Sequence, residues 1–324
     1  MSESAEEQTW AAALAALRAG EVVAFPTETV YGLGADATRA EAVRKIFALK
    51  GRPADHPLIV HLLDASWLDD YALDPPPLAR RLAERFWPGP LSLVLRRPPS
   101  LPHAVTGGLE TVALRAPSHP VAQRLLRELG RPLAAPSANR FGRVSPTTAA
   151  HVRDEFGDEL VVLDGGACEV GVESTILDLS DPTHPRLLRP GGVTREQLLE
   201  ALEGLPLGGA DAAAPRVPGS LESHYAPRAR VDLVLADELA AACARAIAQG
   251  ERVGVLANGD APEGTLHRRL GDDQAAMAQG LYAALRALDD LGCTQVFAVL
   301  PPERGVAAAV ADRLRRAAAP RPPE

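Results

Sequence analysis

The apolar positions of the chain recur with two periods. Over residues 9–19, Trp10, Leu14 and Leu17 are spaced to share one helical face. Residues 21–25 make a short apolar strand that Pro26 ends, and 27–34 read as a polar loop containing glycine. A second helix is expected near 39–49, with Val43, Ile46 and Phe47 on one face. A continuous apolar strand follows at 58–63, interrupted by His61. Shorter strands are expected at 91–95 and 111–114, then a helix near 121–129 leading into 132–135. Pro146 suits the first position of a helix over 146–156, where its missing N–H costs nothing. Strands at 160–163, 175–179 and 186–188 and a helix at 194–203 complete this half.

Residues 204–229 break the pattern. Glycine, alanine and proline replace the apolar periodicity, as in a linker. Beyond it, strand-like runs at 231–235, 253–257 and 296–300 alternate with helical ones at 237–249, 272–291 and 306–318. That alternation predicts a small, mostly parallel α/β domain.

Composition narrows the class. The 324 residues are 46% hydrophobic and 23% charged, a globular balance with enough apolar material for a core in each half. A formal net charge of −8 argues against tight, unassisted binding to nucleic acid, though a local basic cavity stays open. Three scattered cysteines (Cys168, Cys243 and Cys293) form no C-x-x-C pair and read as buried, reduced thiols. No apolar run approaches 18 residues, so the chain is expected to be soluble and cytoplasmic, with no membrane partner. Only two lysines, Lys45 and Lys50, persist among 34 basic residues. A lysine kept against such an arginine bias can mark a place that needs a compact ammonium.

Three segments carry candidate chemistry, and each has a plain alternative. Residues 25–34 put Thr27, Glu28 and Thr29 directly after a strand, where α/β sheets bind ligands, or they form an ordinary Thr-rich turn. Lys50 and Arg52 straddle Gly51 at a helix end and can point at one anion, or they cap the helix. Ser137 and Asn139 supply a hydroxyl and an amide in a turn, for phosphate or for an Asx-turn. His61 is either a ligand contact or a hydrogen-bonded core histidine. There is no phosphate-binding G-x-x-x-x-G-K-[ST] loop, no H-E-x-x-H and no G-x-S-x-G.

Taken in order, Pro26–Gly34, Lys50-x-Arg52, Leu58-Ile59-Val60-His61, Ala113-Leu114-Arg115-Ala116-Pro117, Ser137-x-Asn139, Glu173-Ser174-Thr175-Ile176 and Arg189-Pro190-Gly191 resemble the YrdC/Sua5 family. The resemblance continues through Pro218-Gly219 and His224-Tyr225-Ala226-Pro227 and covers nearly the whole chain. It implies an α/β fold: a YrdC-like catalytic domain over 1–205, with a twisted mixed sheet around a concave cavity. A linker or lid over the active site is implied at 206–229, and a small Rossmann-like domain at 230–324.

The implied activity is nucleotidyl transfer: L-threonine, bicarbonate and ATP give threonylcarbamoyl-AMP and pyrophosphate, for threonylcarbamoyladenosine in tRNAs reading ANN codons. The product would pass to a downstream transferase complex, so tRNA is an indirect partner. Lys50, Arg52, Ser137 and Asn139 form the implied catalytic tetrad. Thr29, His61, Arg115, Ala135 and Ser174 enclose threonine. Lys50, Arg52, His56, Thr111, Ser137, Ser145, Arg189, His224 and Tyr225 hold ATP. Mg2+ is expected to arrive with the triphosphate, with no dedicated protein ligands. His56 stands where the family usually has asparagine, and an imidazole cannot reproduce both the donor and the acceptor of an amide. The competing classes are an RNA-binding module of the same fold without synthase activity, and a carbamoyl-transfer maturation enzyme, whose cysteine-rich zinc segments are missing from this sequence.

Overall fold

A computed structural model describes residues 3–211, 214–219 and 223–320. Residues 212–213 and 220–222 of the expected linker, and 1–2 and 321–324 at the ends of the two expected domains, lie outside the described residues. The chain divides into two compact units. The first comprises residues up to 141, with 146–169 and 173–219; the second comprises 142–145, 170–172 and 223–320.

The first unit is built on nine strands: β1 (Val23–Phe25), β2 (Gly32–Asp36), β3 (Ile59–His61), β4 (Leu91–Arg96), β5 (Thr111–Arg115), β6 (Leu133–Ala134), β7 (Thr175–Asp178), β8 (Arg186–Arg189) and β9 (Gly208–Gly209). They form one mixed sheet in the order β1-β2-β6-β3-β5-β4-β7-β8-β9. The β3–β5, β4–β7 and β8–β9 pairs are parallel and the others antiparallel.

Side chains alternate across a strand, so register decides what each face carries. One face presents Val60, Leu93, Leu114, Ala134 and Leu177 to the largest core cluster. Helices Ala40–Lys50, Pro77–Phe86 and Ala149–Phe156 cover it with Val43, Ile46, Leu78, Leu82 and Val152. Each such aliphatic side chain contributes about 1.5–3 kcal/mol on burial. On the opposite face, helices Glu3–Arg18 and Pro120–Leu129 pack Leu14, Leu17, Leu125 and Leu126 over Phe25, Leu133 and Ala135. Farther along that face Ile59, Val94, Ala113, Ile176 and Leu188 form a separate apolar floor. Beside the floor the register Ile59↔Ala113 and His61↔Arg115 sets polar side chains among apolar ones.

The second unit is a four-stranded sheet of β10 (Arg230–Leu233), β11 (Val253–Leu256), β12 (Leu266–Arg268) and β13 (Gln295–Ala298), all parallel, in the order β10-β13-β11-β12. Helices Leu239–Ala248, Gln274–Asp290 and Ala307–Ala318 connect or follow the strands. Continuous burial of β11 and β13 is what a parallel sheet covered on both faces requires. All three cysteines are free and buried. No helix among the described residues is long and apolar enough to cross a membrane.

Several details depart from the sequence reading, among them strand β9 inside the expected linker and strand β12, which was not expected. Residues 32–34, expected as loop, open strand β2 and pair with β1, and Gly34 lies where a Cβ would stand 2.5 Å from the Phe25 ring. The helix expected from Pro146 starts at Ala149, because the Thr148 hydroxyl caps it by accepting from His151 N at 3.3 Å. The Pro146 carbonyl is used elsewhere and accepts from Tyr31 N. Residues 160–163 contribute only a bridge, Ala24↔Val162, and not a strand. The amphipathic helix Pro77–Phe86 was unassigned, although Pro77 at its start and Leu78, Ala79, Leu82 and Ala83 on one face mark it.

Candidate active site

Lys50 ends the helix Ala40–Lys50, and Gly51 stops it with φ +63°, a conformation that suits glycine. The Lys50 side chain does not cap its own helix. It is buried, and Nζ donates to the Ser137 carbonyl at 2.6 Å and to the Asn139 carbonyl. Burial pushes the Lys50 pKa well below the usual lysine range, the neighbouring Arg52 adds to that, and Glu155 opposes it. Arg52 Nη2 donates to the Pro57 carbonyl at 2.9 Å, and its guanidinium lies 5.6 Å from the Phe141 ring centre. His56 meets the same ring edge-on at 5.3 Å. Burial, with Arg52 next, lowers the His56 pKa. Lys50, Arg52, His56, Ser137 and Asn139 are thus held at one place by two loops. Neither reading from the sequence anticipated that the ammonium would tie those loops together.

A second group sits on the sheet face that carries the apolar floor. The Thr27 hydroxyl is the pivot of the loop after β1: it donates to the Val30 carbonyl at 2.7 Å and lies 2.8 Å from the Thr29 hydroxyl. Thr29 Oγ1 in turn accepts from Arg115 Nη1 at 2.9 Å, and Arg115 Nε donates to the Gly89 carbonyl at 3.3 Å. Arg115 Nη2 lies 2.7 Å from Glu28 Oε1, yet the pair is out of hydrogen-bond alignment, so both atoms are buried without an aligned bond. The second Glu28 oxygen accepts from Ser118 N at 3.1 Å.

His61 is register-paired with Arg115 and meets the Phe25 ring edge-on at 6.1 Å. Burial drives its pKa down to about 3; the Arg115 charge adds to the shift, and the Ile59 and Leu133 backbones oppose it. His61 is therefore a neutral imidazole at physiological pH, and its Nδ1 has no aligned partner. Ser174 lies one step before β7, its hydroxyl 2.8 Å from that of Ser92 on β4. Arg189 Nη2 donates to the Ser174 carbonyl at 2.9 Å and hydroxyl at 3.2 Å. Gly191 packs so closely on this turn that a Cβ would meet the Glu173 carbonyl at 2.3 Å.

Part of the expected linker is docked in the first unit. Ala214 and Val217 join the apolar floor, Arg216 pairs with Asp55 at 2.9 Å, and the Pro218 carbonyl accepts from Arg189 Nη1 at 2.9 Å. Isolated Ala and Val carry no periodicity, which is why this contact was not legible beforehand.

Thr29, His61, Arg115, Ser174 and Arg189 therefore share one face of the sheet. Ala135, register-adjacent to Ile59, donates its N–H to the Ile59 carbonyl at 2.9 Å. Thr111 opens β5, four residues before Arg115, and pairs with Arg96, so it stands at the other end of that strand. Ser145, His224 and Tyr225 belong to the second unit. Two contributors went unnoticed in the sequence. Ser92 is hidden within an apolar strand, and Glu28 was seen only as one polar residue of a Thr-rich loop. Among the described residues, no three His, Cys, Asp or Glu side chains are grouped to hold a metal ion.

This geometry can be set against known proteins. A family model described as "Telomere recombination", the Sua5–YciO–YrdC domain, matches residues 15–191, and one described as "Threonylcarbamoyl-AMP synthase, C-terminal domain" matches 193–319. A threonylcarbamoyl-AMP synthase of Pyrococcus abyssi is 41% identical, over 96% of this chain and 94% of its own length. One of Bacillus subtilis is 44% identical, over 95% and 92%. A crystal structure of Pyrococcus abyssi Sua5 complexed with L-threonine matches with a TM-score of 0.88 at 40% identity, covering 97% of this chain and 94% of the other. A match of this extent, spanning both units, settles kinship: the chain belongs to the Sua5–YciO–YrdC family.

Proposed function

We propose that this chain is an L-threonylcarbamoyladenylate synthase, an ATP-using nucleotidyltransferase acting on L-threonine. The observation that carries the reading is the buried, cross-tied Arg115 on a polar strip of the sheet, with the Lys50 ammonium held against the Ser137–Asn139 turn. An amino acid needs a guanidinium for its carboxylate, and a triphosphate needs fixed cations and donors. Kinship with threonylcarbamoyl-AMP synthases over nearly the full chain supports the same substrates.

The reaction runs in two stages. The threonine amine combines with bicarbonate, giving a carbamate and water. A carbamate oxygen then attacks the α-phosphorus of ATP, and pyrophosphate leaves with the electron pair of the broken P–O bond. No covalent enzyme nucleophile is needed, so positioning and charge carry the catalysis. Arg115 takes the threonine carboxylate in a bidentate grip, with Thr29, His61, Ala135 and Ser174 around the rest. His61 contributes a neutral hydrogen-bonding imidazole, since it carries no charge near neutral pH. Lys50, Arg52, Ser137 and Asn139 meet the phosphates, where charge builds as pyrophosphate departs. His56, Thr111 and Arg189 complete the first unit's hold on ATP, which enters with its Mg2+. Residues 206–229 act as a lid, which limits hydrolysis of the mixed anhydride. The product goes on to a transferase that modifies tRNA in the cytoplasm.

Pyrophosphate release tests the reading. With ATP, L-threonine and bicarbonate present it proceeds, and omitting either threonine or bicarbonate abolishes it. Turnover that ignores both omissions contradicts the proposal.

A further inference from the structure

The reaction needs a proton acceptor that the residues considered so far do not supply. The α-amino group of free threonine is protonated near neutral pH and cannot attack until it loses that proton. A guanidinium donates hydrogen bonds and has no acceptor, so the arginines are not candidates. Lys50 gives its hydrogen bonds to the Ser137 and Asn139 carbonyls. His61, with a pKa of about 3, is too weak a base to keep a proton.

Glu28 is the carboxylate at this place. The residue is 3% exposed, and Oε2 is fixed by the Ser118 N–H at 3.1 Å. Oε1 is turned toward Arg115 at 2.7 Å but makes no aligned hydrogen bond, and neither does Arg115 Nη2. The other Arg115 contacts, to Gly89 and Thr29, leave this edge uncommitted. A buried ion pair with spent geometry is a poor source of stability, since desolvation offsets most of the attraction. It is, however, a matched half of something else. A positive edge and a negative oxygen stand side by side, as the carboxylate and ammonium of an α-amino acid do.

We propose that Glu28 receives the substrate ammonium while Arg115 receives the carboxylate, and that Glu28 Oε1 accepts the proton that frees the amine for carbamate formation. The inference rests on the synthase reading above. The step balances: the N–H bond breaks, its electron pair stays on nitrogen, and the proton forms an O–H bond on Glu28. The neutral amine then joins bicarbonate to give the carbamate and water, and Glu28 returns its proton to solvent before the next turnover. The groups facing Glu28 are Arg115 on β5 and Cys168, whose thiol burial pushes up to about 12, so the thiol stays neutral throughout. Glu28 thus works beside the fixed positive charge of Arg115.

The test is the pH dependence of threonine- and bicarbonate-dependent pyrophosphate release in the wild type and Glu28→Gln. The amide keeps the size of the side chain and an acceptor for Ser118. The wild type should be nearly flat in kcat/KM for threonine between about pH 6.5 and 8. Glu28→Gln should fall about 100-fold near pH 7, the usual worth of a positioned base, and rise tenfold per pH unit as solvent takes over deprotonation. A variant that only weakens threonine binding, with the wild-type pH profile, makes Glu28 a mere prop for Arg115 and overturns the proposal. If Glu28→Gln does not fold, wild-type calorimetry of threonine binding in buffers of different ionisation enthalpy decides. No net proton release to buffer is expected, and release of one proton on binding alone contradicts the inference. Wild-type enzyme with no threonine-dependent turnover would instead remove the synthase reading, a separate outcome.

Discussion

Both units bury arginine, and Arg115 and Arg313 are treated differently. In the second unit Arg313 is fully buried in the helix Ala307–Ala318, its Nη1 2.5 Å from Asp312 and in hydrogen-bond alignment, its guanidinium 5.1 Å from the Tyr225 ring. Burial raises the Asp312 pKa, but Arg313 and Arg316 outweigh it, and the carboxyl is held below its usual value. That charge is answered within its own helix and by an aromatic face. In the first unit Arg115 faces Glu28 at a similar distance without alignment, next to a neutral histidine with an unpartnered nitrogen. A buried charge that the fold fully answers is architecture. One left partly unanswered, in a strip of hydroxyls beside an apolar floor, is the kind of arrangement that marks a candidate site.

Acid gives the largest expected effect on this contrast. The folded-state pKa of His61 is about 3, against about 6.5 unfolded. Between those values the unfolded chain binds the extra proton, so stability is intact above about pH 6.5 and falls as pH drops toward 3. The slope is roughly 1.4 kcal/mol per pH unit from this one group. Denaturant unfolding from neutral to about pH 4 should show that slope, and His61→Asn should flatten it. An equal slope in the variant would place the acid sensitivity elsewhere.

Lys50→Ala should cost roughly 100-fold or more in turnover, the scale of losing a fixed donor to developing charge. Stability should fall as well, by about 1–3 kcal/mol, since two carbonyls of the 137–139 turn lose a buried partner. A helix-capping lysine would have been nearly neutral. Turnover close to wild type would leave Lys50 as a strut between two loops.

Much of this was readable in the chain, within limits set by what kind of information each feature carries. Most helices and strands announced themselves by period. Strand β2 did not, since Gly32, Gly34 and Ala35 have no strand preference of their own and become a strand only against β1. The residue types at Lys50, Arg115, Ser137 and Asn139 were visible, but the carbonyls that hold Lys50 were not, because backbone acceptors leave no mark in sequence. Glu28 was hidden for a related reason: whether a carboxylate is buried beside an arginine depends on strands β1 and β5 sharing a sheet.

Matched substitutions sharpen the comparison of the arginines. Arg115→Lys removes a planar fork that lysine cannot replace, so threonine affinity should drop roughly 10- to 100-fold with ATP affinity little changed. Arg313→Lys should lower thermal stability and leave threonine affinity within about twofold. Isothermal titration separates the two; equal losses of threonine affinity would erase the distinction.

The smallest effect concerns the lid. With L-threonine and a non-hydrolysable ATP analogue both bound, limited proteolysis within 206–229 should slow a few-fold, and His224→Ala/Tyr225→Ala should remove that protection and release more hydrolysed adenylate per turnover. Identical cleavage with and without ligands, and unchanged kinetics in the double variant, would make the segment a tether.

On the proposed function, threonine and ATP meet at the polar strip of the nine-stranded sheet, with the Lys50 turn. A crystal structure of this chain with L-threonine and a non-hydrolysable ATP analogue tests it most directly. The threonine carboxylate should lie on Arg115, its amine at Glu28 Oε1 and the phosphates against Lys50 and Arg52. Ligand density on the second unit's sheet, with the Arg115 strip empty, would contradict it.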